Sequence, residues 1–271
     1  MAQRKLIYRG QTKSLYESNV EPRYLLHFRD DAPSGGIASF EGKGVLNNRI
    51  SAHIMQNLNA VGINTHFVQR ENMREQSVMM ADVLPIRFRM QNRLGQDTRD
   101  RLGLGDDHHL PYPLLEFYFI NESGDYRLVS HDHIVTFGWV QPDDFESVFA
   151  LTNRANDFLC GMMAAVGFSL IEFTMELGWA IDRVSNGIET GLAGERESRT
   201  LMIVDELSPD IFHLREEHSG FDYRCGLPAH AGTGPPNVYV ELARRFNILP
   251  ELPTLEGVNE SGRVTRMRSK G

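Results

Sequence analysis

Two cysteines, Cys160 and Cys225, are all that the 271 residues contain, too few for the disulfide framework of a small secreted domain. Cys160 falls in an apolar helical pattern, where a buried free thiol is the plain reading. No run approaches the roughly 18 apolar residues of a membrane span. No apolar stretch follows the basic start MAQRKLIYRG, so a secretory signal is not expected. Basic excess is missing as well: 28 Lys and Arg stand against 36 Asp and Glu, a net charge of −8. A general nucleic-acid binder needs a basic face to neutralise phosphates, so that class is set aside, although a local basic pocket is not. There is no solenoid or propeller repeat and no low-complexity tract. Present instead are 41% hydrophobic and 24% charged residues, the proportions of a folded cytoplasmic protein with one large unit or two closely packed lobes.

The first half reads as strand-rich. KLIYRG, SLYES, RYLLHFRD, THFVQR, SVMMADVLP, IRFRMQ and LLEFYFI each carry alternating or short apolar runs of strand length. Residues 31–44 hold five glycines or prolines and no period, which predicts a loop. Leu46, Ile50, His53, Ile54, Leu58 and Val61 recur at three- and four-residue steps and predict a helix over 46–60. A second helix is expected over about 142–166, opened by Pro142-Asp143-Asp144 and closed near Gly167. Two strands follow, at 169–177 and 200–207, joined by a glycine-rich connection. Beyond 207 an irregular stretch is expected until a helix in PNVYVELARRFNI, and then the short basic tail RVTRMRSKG. That tail suits either a solvated end or a phosphate contact.

Three patterns could carry chemistry. Glu176 and Asp205 end apolar runs on consecutive strands, so antiparallel pairing would bring two carboxylates together at the border of a core. Such a pair repels unless a cation intervenes, and Mg²⁺ prefers carboxylate oxygens with phosphate. Strand ends that are merely solvated give the same pattern. Secondly, Tyr8-Arg9-Gly10-Gln11-Thr12-Lys13 sets a lysine after a glycine turn, which can lay N–H groups and an ammonium against phosphates or can be an ordinary hairpin turn. It lacks the spacing of a Walker sequence. Thirdly, His108-His109 and His131-Asp132-His133 resemble metal ligands, but no further group is spaced to complete a zinc site.

Taken in order along the chain, several motifs resemble the SAICAR synthetase family, the phosphoribosylaminoimidazole-succinocarboxamide synthetases. They are Tyr8-Arg9-Gly10 with Lys13, Gly42 to Asn48, Ala60 to Thr65, Arg101-Leu102-Gly103, Glu116-Phe117-Tyr118, Thr136 to Trp139, Met175 to Gly178, Asp205 to Asp210 and Ala243-Arg244-Arg245. The resemblance implies an α+β, ATP-grasp-like fold of two lobes with ATP between them. It divides the chain into a β-rich nucleotide-binding lobe over 1–85 and an α/β lobe with the metal and substrate site over 86–271. It implies a reaction in which a carboxylate attacks the γ-phosphate of Mg-ATP and an amine, that of aspartate in the family, then displaces phosphate. It assigns Tyr8, Gly10, Lys13, Val83 and Leu84 to the nucleotide, Glu176 and Asp205 to magnesium, and Lys13 and Asp210 to catalysis. A dimer or larger homo-oligomer is the family's usual state.

The departures are concentrated. Gln91 stands for an arginine and Asp97 for a serine of the family's ribotide-holding segment; Ile120 and Thr174 stand for lysines, and His213 for an arginine. Met79-Met80 and Gln11 also replace lysines. Charge-assisted contacts contribute roughly 1.5–3 kcal/mol each, so the pattern predicts a ligase whose carboxylate substrate has changed to a non-ribotide acid. Two other readings stay open: genuine synthesis with Arg87, Arg89, Arg93 or Arg99 compensating, and a non-catalytic nucleotide-binding protein.

Overall fold

A computed structural model describes residues 4–31, 39–105, 110–121, 125–181, 199–224 and 237–249. The connection 182–198, His108-His109, Cys225 and the basic tail lie outside the described residues. Two antiparallel sheets organise the rest. The first joins β1 (Leu6–Arg9), β2 (Lys13–Glu17), β3 (Arg23–Phe28), β4 (Phe67–Arg70) and β5 (Glu75–Met79) in the order β1-β2-β3-β5-β4. Helix α1 (Lys43–Ala60) packs on it, burying Ile50, Ile54 and Leu58 completely. Val61, the last residue of the expected stripe, instead caps the helix and is half exposed.

The second sheet uses β6 (Ala81–Gln91), β7 (Leu114–Ile120), β8 (Tyr126–Val129), β9 (Phe168–Ala180), β10 (Leu201–Val204), β11 (Phe212–Glu216) and β12 (Asp222–Arg224). Its order is β12-β11-β9-β6-β7-β8, with β10 also paired to β9. The short helices α2 (Gln96–Leu102) and α3 (His131–Thr136) and the long α4 (Phe145–Ala165) complete this half, followed by α5 (Asn237–Arg245). His133 closes the capping box of α3, its ring nitrogen accepting from the Ser130 N–H at 3.0 Å. No described helix is long and apolar enough to cross a membrane.

Two expectations need correction. SVMMADVLP is not one strand: the chain leaves the first sheet at Met79 and enters the second at Ala81. Met80 turns between them, its N–H bonded to the Pro22 carbonyl and its own carbonyl accepting from Ile181. Pro85, expected to end a strand, lies inside β6 where the register to β9 shifts between Val83 and Arg87. A proline without an N–H is tolerated at such an irregularity. The segment after 207 is also more ordered than its composition suggests, because β11 pairs with β9 and β12 pairs with β11.

Alternation on the central strands separates a dry face from a polar one. Ile86, Phe88 and Met90 of β6 and Phe173, Met175 and Leu177 of β9 are buried in the main core. Val148, Leu151, Leu159 and Met163 of α4 belong to the same core, each contributing about 1.5–3 kcal/mol by burial. The intervening positions turn the other way: Arg87 pairs with Glu176, Arg89 with Thr174 and Gln91 with Glu172. A polar stripe, most of it buried, thus crosses the other face of the sheet.

The start of α1 is held against the end of β3. A Cβ on Gly44 would come within 2.5 Å of the Phe28 carbonyl oxygen. Gly44→Ala is therefore expected to lower the unfolding free energy by about 1–3 kcal/mol, measurable as a shifted urea midpoint.

Candidate active site

Lys13 is the first residue of β2, set by a turn in which the Gly10 N–H donates to the Lys13 carbonyl at 3.0 Å. Arg29 clamps this turn from the end of β3. Its guanidinium donates to the carbonyls of Gly10 at 2.7 Å, Gln11 at 2.5 Å and Lys13 at 2.7 Å. Nothing in the sequence marks Arg29 for that task. Tyr8 is exposed on β1, its ring edge beside Gly10.

From the first sheet the Lys13 side chain reaches the second. Its ammonium lies 2.7 Å from Asp205 Oδ1 and pairs also with Glu206. Burial works against the charged ammonium, but Asp205 and Glu206 outweigh it and hold the Lys13 pKa above its ordinary value. Burial likewise raises Asp205, and the Lys13 charge and hydrogen bond reverse this to leave it lowered. Glu206 remains raised, with burial the largest cause. Glu206 was missed in the sequence, where it stands inconspicuously beside Asp205.

Beside this group Glu176 is bound by Arg87 through Nε at 3.2 Å and through Nη2. The β10 residue opposite Glu176 is Val204, so Asp205 follows directly where the strand ends. Arg87 lies 4.6 Å over the Tyr126 ring, and Asp205 helps raise its pKa against burial. Lys13, Arg87, Glu176, Asp205, Glu206 and Tyr126 therefore form one electrostatic cluster. Val83 pairs with Gly178 further along β6 and is half exposed, while Leu84 is buried.

Asp205 adopts φ 65°, in the left-handed region unusual for a residue with a side chain. His66 Nε2 donates to its carbonyl at 2.8 Å. Burial pulls the His66 pKa down to about 4, so the ring is neutral at pH 7. The unfolded chain takes up a proton near pH 6.5, the folded one only near 4, so stability is lost as pH falls through that window. The expected loss is up to about 3 kcal/mol, read as a falling melting temperature. His66→Gln keeps a donor without titrating, and should show a flatter profile between pH 6.5 and 4.

Asp210 is buried at a distance from solvent. Lys43 Nζ at 2.5 Å and Asn47 Nδ2 at 2.9 Å share its Oδ2, and Tyr239 OH donates to Oδ1 at 2.5 Å. With both oxygens occupied, Asp210 ties α1, α5 and the Ser208-Pro209-Asp210 turn together. Its charge raises Glu206, and the Ser208 hydroxyl links the two, donating to Glu206 at 2.7 Å and accepting from the Asp210 N–H at 3.2 Å.

A second cluster occupies the other half of the stripe. Arg89 donates to Asp97 through two nitrogens at 2.6 and 2.9 Å and to Glu172 at 2.5 and 3.1 Å. Gln91 donates to Thr98 at 2.9 Å and Glu116 at 2.8 Å, and Arg101 pairs with Glu116. His213 is buried with its ring nitrogens 3.7 Å from Glu172 and 3.6 Å from Asp222, within hydrogen-bond distance of no partner among the described residues. Thr174 faces Arg89 across the sheet. Four of the positions that depart from the family pattern, Gln91, Asp97, Thr174 and His213, thus lie around Arg89, Glu116 and Glu172, whereas Gln11, Met79-Met80 and Ile120 lie elsewhere. Arg99 instead donates to the Leu94 carbonyl at 3.1 Å and to Gln96 at 2.9 Å.

Among the described residues no group of three or more His, Cys, Asp or Glu is placed to hold a metal ion, so a cation here would rest on Glu176 and Asp205, each of which keeps an oxygen that Arg87 and Lys13 do not engage. Mg²⁺ typically takes one or two carboxylates and completes its shell with water and substrate phosphates.

Comparison with known proteins fits this geometry. The family model described as SAICAR synthetase matches residues 6–220. A phosphoribosylaminoimidazole-succinocarboxamide synthase of Jannaschia sp. (strain CCS1) is 34% identical, the match covering 93% of this chain and 96% of that one. The crystal structure of the synthase of that name from Ehrlichia chaffeensis superposes with a TM-score of 0.77 at 27% identity, covering 91% of this chain and all of the other. A SAICAR synthetase solved in complex with ADP gives 0.68 at 22% identity over 80% and 87% of the two chains, a likeness of fold. With the family model spanning both sheets and the polar stripe between them, the chain belongs to the SAICAR synthetase family.

Proposed function

We propose that this ATP-dependent, C–N bond-forming ligase joins the amine of aspartate to an imidazole ribotide carboxylate. The observation that supports it is the breadth of the likeness, which runs through 93% of the chain to a relative bearing that synthase name. Of the substrates left open by the sequence, the ribotide is thereby better supported than an altered acid. The reaction class balances simply. A carboxylate oxygen attacks the terminal phosphoryl group of ATP and ADP leaves; the amine nitrogen then attacks the acyl carbon, phosphate leaves and the nitrogen gives up a proton.

The residues take the following parts in this reading. The Gly10 turn, held by Arg29, presents Lys13 to the transferring phosphoryl group, where its ammonium meets the charge that builds in the transition state. Tyr8, Val83 and Leu84 border the nucleotide where the two sheets meet. Glu176 and Asp205 would hold magnesium, which when bound offsets the negative charge of the phosphate oxygens. Arg87 keeps Glu176 in place, and Asp210 positions the turn that carries Glu206.

A second reading rests on the Arg89 network. Arg89 directs four of its N–H groups to Asp97 and Glu172 and the fifth, at 3.4 Å, to the Tyr118 hydroxyl, so its charge is already shared by two carboxylates, which favours an acid without a phosphate. The two readings part in one comparison. The imidazole ribotide carboxylate and the same nucleoside acid lacking its phosphate are assayed for ADP formation with aspartate. Ribotide recognition predicts kcat/KM at least about a hundredfold higher for the phosphorylated acid, the worth of two charge contacts. Preference for the dephosphorylated acid would overturn it.

A further inference from the structure

Between α1 and β4 lies a cavity of about 510 Å³ lined by Arg49, His53 and Gln56 of the helix and Phe67, Gln69 and Arg70 of the strand. Its size is that of a small-ligand site, about 300–1,000 Å³. It shares no lining residue with the cluster around Lys13. No carboxylate lines it, and neither Arg49 nor Arg70 makes an ion pair among the described residues. Arg49 donates one Nη1 bond to the Ile248 carbonyl at 3.2 Å, while its Nε is buried without a partner. Burial and the nearby charge of Arg70 both disfavour the Arg49 cation.

Two guanidinium groups that make no ion pair among the described residues, with an imidazole beside them, suit a dianion, because a guanidinium fork matches phosphate geometry. The Phe67 side gives the cavity an apolar wall, and the amides of Gln56 and Gln69 give it neutral donors and acceptors. We propose that this cavity binds a phosphomonoester, its phosphate between Arg49 and Arg70 and its organic body against Phe67. The site stands apart from the ligase reaction and does not depend on the choice of its substrate. It does share a helix with it, since α1 also carries Lys43 and Asn47.

Calorimetry with phenyl phosphate tests the proposal, using the full chain with the nucleotide site first saturated by Mg-ADP and with phenol as the uncharged control. The expected result is one site per chain with a dissociation constant below about 1 mM, no binding of phenol, and at least tenfold weaker binding in both Arg49→Met and Arg70→Ala. Arg70 is exposed, so Arg70→Ala keeps the fold and decides the matter even if Arg49→Met does not fold. Absence of phenyl phosphate binding to the wild type, or equal affinity in Arg70→Ala, would overturn the proposal.

Discussion

Lys13→Ala is expected to lower kcat for ADP formation by about a hundredfold to a thousandfold, the usual effect of removing one preorganised donor from a site of developing charge. The glycine turn delivers this ammonium to the carboxylate group, at 2.7 Å from Asp205. Its raised pKa keeps it protonated throughout the working range. Glu176→Gln and Asp205→Asn should each abolish ADP formation as well, by removing the charge that balances a metal. Asn tolerates the left-handed backbone of position 205, so Asp205→Asn tests the charge rather than the turn. Steady-state ADP release at saturating ATP and magnesium is the measurement. Wild-type turnover in any of the three variants would contradict the role given to it.

Lys43→Ala is expected to act on stability instead. Lys43 is fully buried, and its removal leaves the Asp210 carboxylate buried with only Asn47 and Tyr239. Breaking a buried pair in this way costs about 3–5 kcal/mol, a large part of the roughly 5–15 kcal/mol that holds a domain folded. Denaturant unfolding should show the loss directly. Removing both charges in Lys43→Met with Asp210→Asn should be less destabilising than the sum of the single changes. Turnover per folded molecule should fall far less than in Lys13→Ala. Equal catalytic losses at the two lysines would remove the distinction between them.

Much of the frame was legible because it obeys simple periods. Most strands of the first sheet, β7, β9 and β10 of the second, and helices α1 and α4 stand close to where alternation, spacing and end signals put them, and the pairing of β9 with β10 brings Glu176 next to the end of the strand that leads to Asp205. The short elements were not legible. Helices α2 and α3 have six or seven residues, too few for a period, and β11 exists by pairing with the distant β9, with the three-residue β12 added on its other edge. Position of charge was harder still. Asp210 looked catalytic by resemblance, yet its partners come from residues 43, 47 and 239, which no local pattern joins. Arg89 was one of four arginines that could have compensated for lost cations. The register of β6 sets it opposite Glu116 and Thr174, and its side chain reaches on to Glu172 of β9 and Asp97 of α2.

The most direct measurement follows the nitrogen. The protein is incubated with Mg-ATP, the imidazole ribotide carboxylate and ¹⁵N-aspartate, and the products are read by mass spectrometry beside the ADP released. The expected result is one ¹⁵N-labelled succinyl amide for each ADP, with neither product formed when the ribotide is omitted. ADP formed without the labelled amide, or a chain that binds ATP and releases no ADP under these conditions, would contradict the assignment.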